Sequence, residues 1–508
     1  MFRKLLVLAL SFVAQPAHAA WHEASSKHFV VYSEQKPEKL RAFADQLERF
    51  DKAMRVLWAQ PDPEIGPANR VTVYVVDSVG AVQRLSDRRN VAGFYQGRAT
   101  GPVAFVPRSA GADDADLSAT AILLHEYAHH FMFSSWPHAA YPSWFVEGFA
   151  EFHATTSFDK DGSVLIGNPP LYRARGILEQ SLSTERMLAA DTQKLHDLQI
   201  DSLYGRGWLL THFLMIRGSR KEQGLAYLKA INDGKTALDA ARQAFGDLRA
   251  LDKELDRYAR SRLEGLKIAP NVITPGAITL RRLTPGEEAF MEVRIRSTAG
   301  VDQETAPRVY AAAKRAAAHF PNDALAQRWF AETAFDAGDF AEAEAAAGRA
   351  ISADPKLVEA YCYKAQAQMA QAISRKDFSA ETWKAIRKTI VAANKLDPED
   401  PEPLMLYFRS FVDAGTTPTP TAREGLYKAF ELAPQDASLR FNAALTKLRD
   451  GKLGEARETL RPLAFSPHGG AMAEHASKIL AAIDSGDAKA ALAAAEGSKA
   501  DAEEPDAS

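Results

Sequence analysis

The sequence predicts an α+β protein in two parts, a small mixed sheet with packed helices followed by an all-α array of helical repeats. Three features carry that prediction. Strand-like alternation is concentrated before residue 108, and two apolar helices bearing histidines and acids come next. Past residue 306 the chain is alanine-rich and is punctuated by Pro321, Pro355, Pro398, Pro434 and Pro467.

A chain of 508 residues exceeds what one hydrophobic core serves, so two or more domains are expected. Its 46% hydrophobic and 25% charged content is that of an ordinary globular protein. A formal charge of -3 gives no general attraction to phosphate backbones or anionic lipid, which argues against nucleic acid and polybasic membrane contacts.

Residues 1–19 read as a secretory signal peptide. Arg3 and Lys4 precede an apolar run over 5–13, and Pro16-Ala17-His18-Ala19 supplies small residues for cleavage after Ala19. That run is about half of the roughly 20 residues a spanning helix needs. The expectation is an exported protein, periplasmic or secreted, with no integral membrane segment after cleavage. Cys362 is the single cysteine, so no intramolecular disulfide can form.

Strands are expected at 28–33 and 71–77, with a helix between them whose apolar residues Leu40, Phe43, Leu47, Phe50, Met54 and Leu57 recur at helical spacing. Two further β segments, 91–95 and 102–107, flank the glycine-bearing turn 96–101. Helices follow at 116–133 and from Pro142 to about 154, with proline where its missing N–H costs nothing. More helices are expected at 171–182, 202–216, 221–232, 237–245 and 248–263. The segment 271–296, with its alternating Phe290-Met291-Glu292-Val293-Arg294-Ile295, reads as a junction carrying short β segments.

The repeat prolines are spaced 34, 43, 36 and 33 residues apart, near the tetratricopeptide period. Ala331, Gly338, Phe340, Ala343, Ala350 and Pro355 fall where that repeat wants small residues, an aromatic and a closing proline, and the 43-residue interval implies an insertion at 374–382. The last residues, rich in Ala, Asp, Glu and Ser, read as a frayed or disordered tail. The expected domains are therefore 20–266, a junction 267–305, repeats 306–483 and a tail 484–508.

Within the first helix of the pair, His125-Glu126-Tyr127-Ala128-His129 places two imidazoles four residues apart, on one helix face, where both can hold one zinc ion. Glu126 flanks that face and suits the general base for a metal-activated water. Chance would produce such a pentamer in very roughly 2% of chains of this composition. Catalytic zinc needs a third ligand, and Trp144-Phe145-Val146-Glu147-Gly148-Phe149-Ala150-Glu151 returns after 17 residues, enough to turn at Pro137 and Pro142. Gly148 costs about 1 kcal/mol inside a helix, and close approach of this helix to the histidine helix would justify it.

These two runs resemble the gluzincin metallopeptidases, the thermolysin-like and aminopeptidase-like clan of zincins, tightly over about 30 residues and loosely over 20–266. The resemblance implies Glu147 as third zinc ligand and Glu151 as a supporting acid that orients a ligand histidine. The exchanged assignment, Glu151 as ligand and Glu147 as support, is its competitor. The clan's aminopeptidase anchor Gly-x-Met-Glu-Asn is missing, which points to an endopeptidase. Val103-Ala104-Phe105-Val106 stands where an edge strand binds substrate main chain in the clan. An oxyanion donor is expected on a later helix, either Tyr204, 57 residues past Glu147, or His212, 65 past it. His130 and His153 fall off the ligand face, as support or surface residues.

The expected function is hydrolysis of a peptide or protein substrate with one zinc ion, Glu126 as base and Tyr204 as oxyanion support, with a protein partner recruited by the repeats. The layout resembles periplasmic chaperone-peptidases that join a zinc domain to repeats. A second expectation is a non-catalytic scaffold or chaperone-like adaptor acting through the repeats, its zinc site structural or vestigial.

Overall fold

The computed structural model describes residues 20–88, 91–109, 118–179, 181–190, 194–466 and 470–501. The expected signal segment 1–19 and Pro467 lie outside them.

The nine strands among the described residues are β1 (His22–Ser25), β2 (Phe29–Ser33), β3 (Val71–Val76), β4 (Phe94–Gln96), β5 (Val103–Pro107), β6 (Ser157–Phe158), β7 (Val164–Ile166), β8 (Leu266–Ile268) and β9 (Thr279–Arg282). Six form a mixed sheet in the order β4-β5-β3-β2-β1-β9, and β6, β7 and β8 form a small antiparallel one. Tyr95 of β4 pairs opposite Ala104 of β5, whereas Val73 of β3 runs parallel to both Ala104 and Val31. This corrects the expectation for Val103–Val106. That run is covered on both sides, and the sheet edge beside the histidine helix is β4. A fully buried apolar run suits an interior parallel strand.

Helices α1 (Pro37–Trp58), α2 (Val79–Ser86), α3 (Ala119–Ser135), α4 (Ser143–Ala154), α5 (Ala174–Leu178), α6 (Thr184–Leu188), α7 (Asp197–His212), α8 (Lys221–Asn232), α9 (Ala237–Phe245) and α10 (Leu248–Ala259) complete the first part. The expected helix over 171–182 is a 3-10 turn at Leu171–Arg173 and the short α5. One face of the sheet, with Phe29, Val31, Val73 and Ala104, packs on α1, α3 and α4 in the main core. The other face, with Tyr32, Val76 and Phe105, packs on α2.

The junction carries a short β segment, β9, but its alternating run over 290–295 is helical. Residues Pro285–Ala299 form helix α11, opened by a capping box between Thr284 and Glu287. Met291 and Ile295 lie against the sheet, while Phe290 and Val293 lie against the first repeat. A helix buried on two sides is apolar at positions that mimic strand alternation, which is why the pattern misled. Just before it, β9 pairs with β1, so the chain returns to the first sheet before it enters the repeats.

Helices α12 (Ala306–Ala317), α13 (Ala324–Asp336), α14 (Phe340–Ala353), α15 (Val358–Ser374), α16 (Ala380–Leu396), α17 (Pro401–Val412), α18 (Pro420–Leu432), α19 (Ala437–Arg449), α20 (Leu453–Ala464), α21 (Gly470–Asp484) and α22 (Ala488–Asp501) form the repeat array. Each packs chiefly on its chain neighbours, and α13 also touches α11 and α15, as α15 touches α17. Buried Ala331, Ala343 and Ala350 let paired helices approach closely, and Gly338 makes the turn between α13 and α14 at φ 79°. The 43-residue interval is not an inserted loop: α15 and α16 are 17 residues each, against 13 and 14 for α13 and α14. Of the expected tail 484–508, Ala488–Asp501 form helix α22 with Ala491 and Ala495 buried in the core of the last helices, and 502–508 lie outside the described residues. Alanine-rich composition marks both solvated tails and close helix packing, and only a neighbour decides between them.

Candidate metal centre

Helix α3 starts where the Ser118 hydroxyl accepts the Ala121 N–H at 3.0 Å. Its apolar residues Ala121 to Leu124, Tyr127, Ala128, Phe131 and Met132 are buried together with His129, while His125, Glu126 and His130 are half-buried. Tyr127 fixes its rotation by donating to Asp51 at 2.7 Å, and Asp51 is held by Arg55 at 2.6 Å. His125 and His129 then face away from α1. Helix α4 follows Pro142, and every residue from Trp144 to Ala154 is buried, Glu147 and Glu151 included.

The two helices bring His125, His129 and Glu147 together. The Nε2 atoms of the histidines are 3.2 Å apart, and Glu147 Oε2 stands 3.5 Å from His125 Nε2 and 3.7 Å from His129 Nε2. A tetrahedral ion with ligands about 2.0–2.1 Å away has ligand-to-ligand edges of about 3.3–3.4 Å. The triangle therefore fits one face of a tetrahedron. The Glu147 side chain is 0% exposed and that of His125 16%, so solvent reaches the group on the His125 side. Burial opposes a charged His125, yet the Glu147 carboxylate beside its Nε2 and the charges of Glu151 and Glu126 raise its pKa to about 9. Net negative charge at this point favours a cation.

Glu151 sits beside the triangle rather than in it. Its Oε1 is 3.9 Å from His125 Nδ1, beyond hydrogen-bond range, so the direct orienting bond implied by the resemblance is not made. Its hydrogen bonds come from Tyr172 at 2.8 Å and from Arg173 at 3.0 Å. Tyr204 lies parallel to His125, with ring centroids 6.1 Å apart and planes 8° apart, and burial, with the neighbouring Glu147 charge next, pushes its hydroxyl pKa up. The Arg173 guanidinium stands over the Tyr204 ring, 4.7 Å from its centroid. The rival His212 is elsewhere, buried with its Nδ1 2.8 Å from the Tyr258 hydroxyl. Glu126 is half-buried, and its charge is felt at Tyr95, whose hydroxyl meets His130 Nδ1 at 2.7 Å. His153 is no surface residue: it is fully buried, its Nδ1 2.7 Å from the Phe149 carbonyl and its Nε2 3.0 Å from Trp58 Nε1.

Sequence reasoning missed Tyr95, Tyr172 and Arg173. None belongs to a motif, and only the fold carries their loops and strand to the histidine helix.

A second group of ligand-type side chains, His28, Asp51 and Asp62, lies on the far side of Tyr127. It is already neutralised by protein cations. Lys27 reaches Asp62 at 2.7 Å, Lys52 also binds Asp62, and Arg55 binds Asp51. Those ion pairs occupy the carboxylate lone pairs a metal would use, so this group serves as an ion-pair network under α3.

No protein-family model matches the chain, and no curated protein sequence does. Among solved structures, a thermophilic tetratricopeptide-repeat protein of Thermus thermophilus is similar at 18% identity, covering 34% of this chain and 90% of that one, with a TM-score of 0.30. The chain itself presents a mixed α+β region with a His-His-Glu group able to hold a metal, His129 and Glu147 buried and His125 half-buried, followed by a helical-repeat region.

Proposed function

We propose that the chain is a zinc-dependent peptidase of gluzincin type, acting on peptide bonds as an endopeptidase, with tetratricopeptide-type repeats attached. The observation that carries the reading is the triangle of His125, His129 and Glu147, with edges of 3.2, 3.5 and 3.7 Å. Zinc held there would supply Lewis-acid polarisation of the scissile carbonyl and a lowered pKa for water. Glu126, one residue beyond the first ligand, takes the proton from the attacking water and delivers it to the departing amine. The Tyr204 hydroxyl, already beside Glu147, donates to the oxygen on which charge develops. Glu151 and Arg173 hold the surroundings of His125 in place.

The test is Glu126→Gln in the purified mature protein, with metal content measured beside cleavage of an unfolded protein. Retained zinc with cleavage reduced by about 10²-fold or more supports the assignment. Undiminished turnover would falsify it. Export belongs to the same proposal, and a secreted or periplasmic chain beginning at Ala20 is the expected product. No helix among the described residues is long and apolar enough to cross a membrane.

The continuous helical array favours one second reading, a scaffold or chaperone-like adaptor whose metal group is structural. Full complementation of a deletion strain by Glu126→Gln, and none by a chain lacking 306–483, would select it.

A further inference from the structure

The turn between β4 and β5 does not project into solvent. Arg98 donates to the Thr298 carbonyl at 2.8 Å and Gln96 donates to that of Ala299 at 3.1 Å, both at the end of α11. The Ala99 N–H donates to Asp436 at 2.8 Å, and the Ala99 methyl is 2% exposed, packed with Leu426, Phe430 and Leu439 of α18 and α19. Asp436 meanwhile caps α19 with its other oxygen, at 2.8 Å from Leu439 N.

Two glycines bracket the strand. A Cβ at Gly97 would stand 2.7 Å from the carbonyl oxygen of Gln435, and one at Gly93 would stand 2.3 Å from Ile122 of α3. Strand β4 is thus pressed on the repeats at one end and on the histidine helix at the other. Between them Tyr95 reaches His130. An edge strand offers a row of backbone donors and acceptors to an extended chain.

We propose that the repeat array is a built-in positioning element for substrate: by clamping the 96–101 turn it holds β4 beside the metal helix, as the edge on which an extended substrate pairs. The proposal rests on the peptidase reading. Gly97, Arg98 and Ala99 are then positioning residues, and the repeats act on the metal domain through a contact that is already made within the chain.

The test uses Gly97→Ala in the full chain, with two readouts. Amide exchange at Tyr95 and Gln96 should accelerate by about tenfold or more, while exchange across Ile122–Met132 stays as in the parent. Placed in the Glu126→Gln chain, the same change should raise the Kd for fluorescein-labelled unfolded casein by about threefold or more, read by anisotropy. Asp436→Asn, which keeps the helix cap, should shift both readouts in the same direction and guards against a folding defect in the first variant.

Exchange at Tyr95 and Gln96 that stays at the parent rate in both variants overturns the proposal, as does accelerated exchange with an unchanged casein Kd. Global loss of protection overturns it too, since a purely structural contact would produce that. If the chain with Glu126 intact fails to cleave casein but the Kd still shifts, the peptidase reading falls and the positioning role stands. If casein is cleaved and neither variant differs from its parent, the positioning role falls alone. Failure of casein to bind overturns both.

Discussion

Gly148 and Gly207 meet backbone to backbone: a Cβ on Gly148 would stand 2.4 Å from the Gly207 carbonyl oxygen. The glycine beside the third acid is therefore spent on α7, not on the histidine helix as its sequence position suggested. Glu147 precedes one of these glycines and Tyr204 lies one turn before the other, so the contact sets how far the Tyr204 hydroxyl stands from Glu147.

Gly148→Ala should force α4 and α7 apart. The obstacle is backbone on a buried helix and cannot swing away, so a loss of about 1–3 kcal/mol is expected. Denaturant unfolding measures it. Zinc affinity should fall as well, because Glu147 moves with the helix, and a competing chromophoric chelator reads that separately.

Tyr204→Phe keeps the ring against His125 and removes the hydroxyl. Zinc should remain at one per chain, with kcat down about 10²–10³-fold and KM nearly unchanged, as expected for a donor needed chiefly in the transition state. A kcat equal to the parent's would leave Tyr204 as packing only.

Arg173→Met leaves the buried Glu151 carboxylate without the guanidinium that now pairs with it at 2.9 Å. Supporting groups of this kind are worth about 10–100-fold in metal affinity. A weakening in that range is expected in a chelator competition, with Glu147 and both histidines intact. Unaltered affinity would show that Glu151 does not act on the metal site through His125.

The repeats should lose stability as pH rises. Burial, with Asp400 next, lifts Glu402 to about 8, while burial, with Glu332 next, lifts Asp336 to about 7. An acid whose folded pKa lies above its unfolded value holds more protons when folded, so stability falls as pH climbs from the unfolded pKa to the folded one. For Glu402 that window runs from the ordinary 4.5 up to about 8. Glu402→Gln removes the titration while keeping an acceptor for Gln366. Its Tm advantage over the parent should be smallest at about pH 5 and largest at about pH 8. An advantage independent of pH would contradict the shift.

Several elements are legible in the sequence because they depend on local periodicity. The histidine helix, the α1 helix and the strands β2, β3 and β5 each repeat their apolar residues at the spacing their geometry demands. The run 290–295 reads as strand for the same reason, since Phe290, Met291, Val293 and Ile295 serve two partners, and a helix with two buried faces loses its helical signature. The α22 segment was misread because alanine does not reveal whether it has a neighbour.

What the sequence determined by itself is the spacing of His125, Glu126 and His129, since four residues of helix place two imidazoles on one side wherever that helix is built. It also marked Glu147 and the proline rhythm of the repeats. The tertiary structure alone decided which acid joins the histidines, which strand forms the sheet edge, that Tyr204 rather than His212 stands at the site, and that the 96–101 turn lies against the repeats. Each is a distance between residues far apart in the chain, set by packing of whole helices, and local pattern carries no information about it.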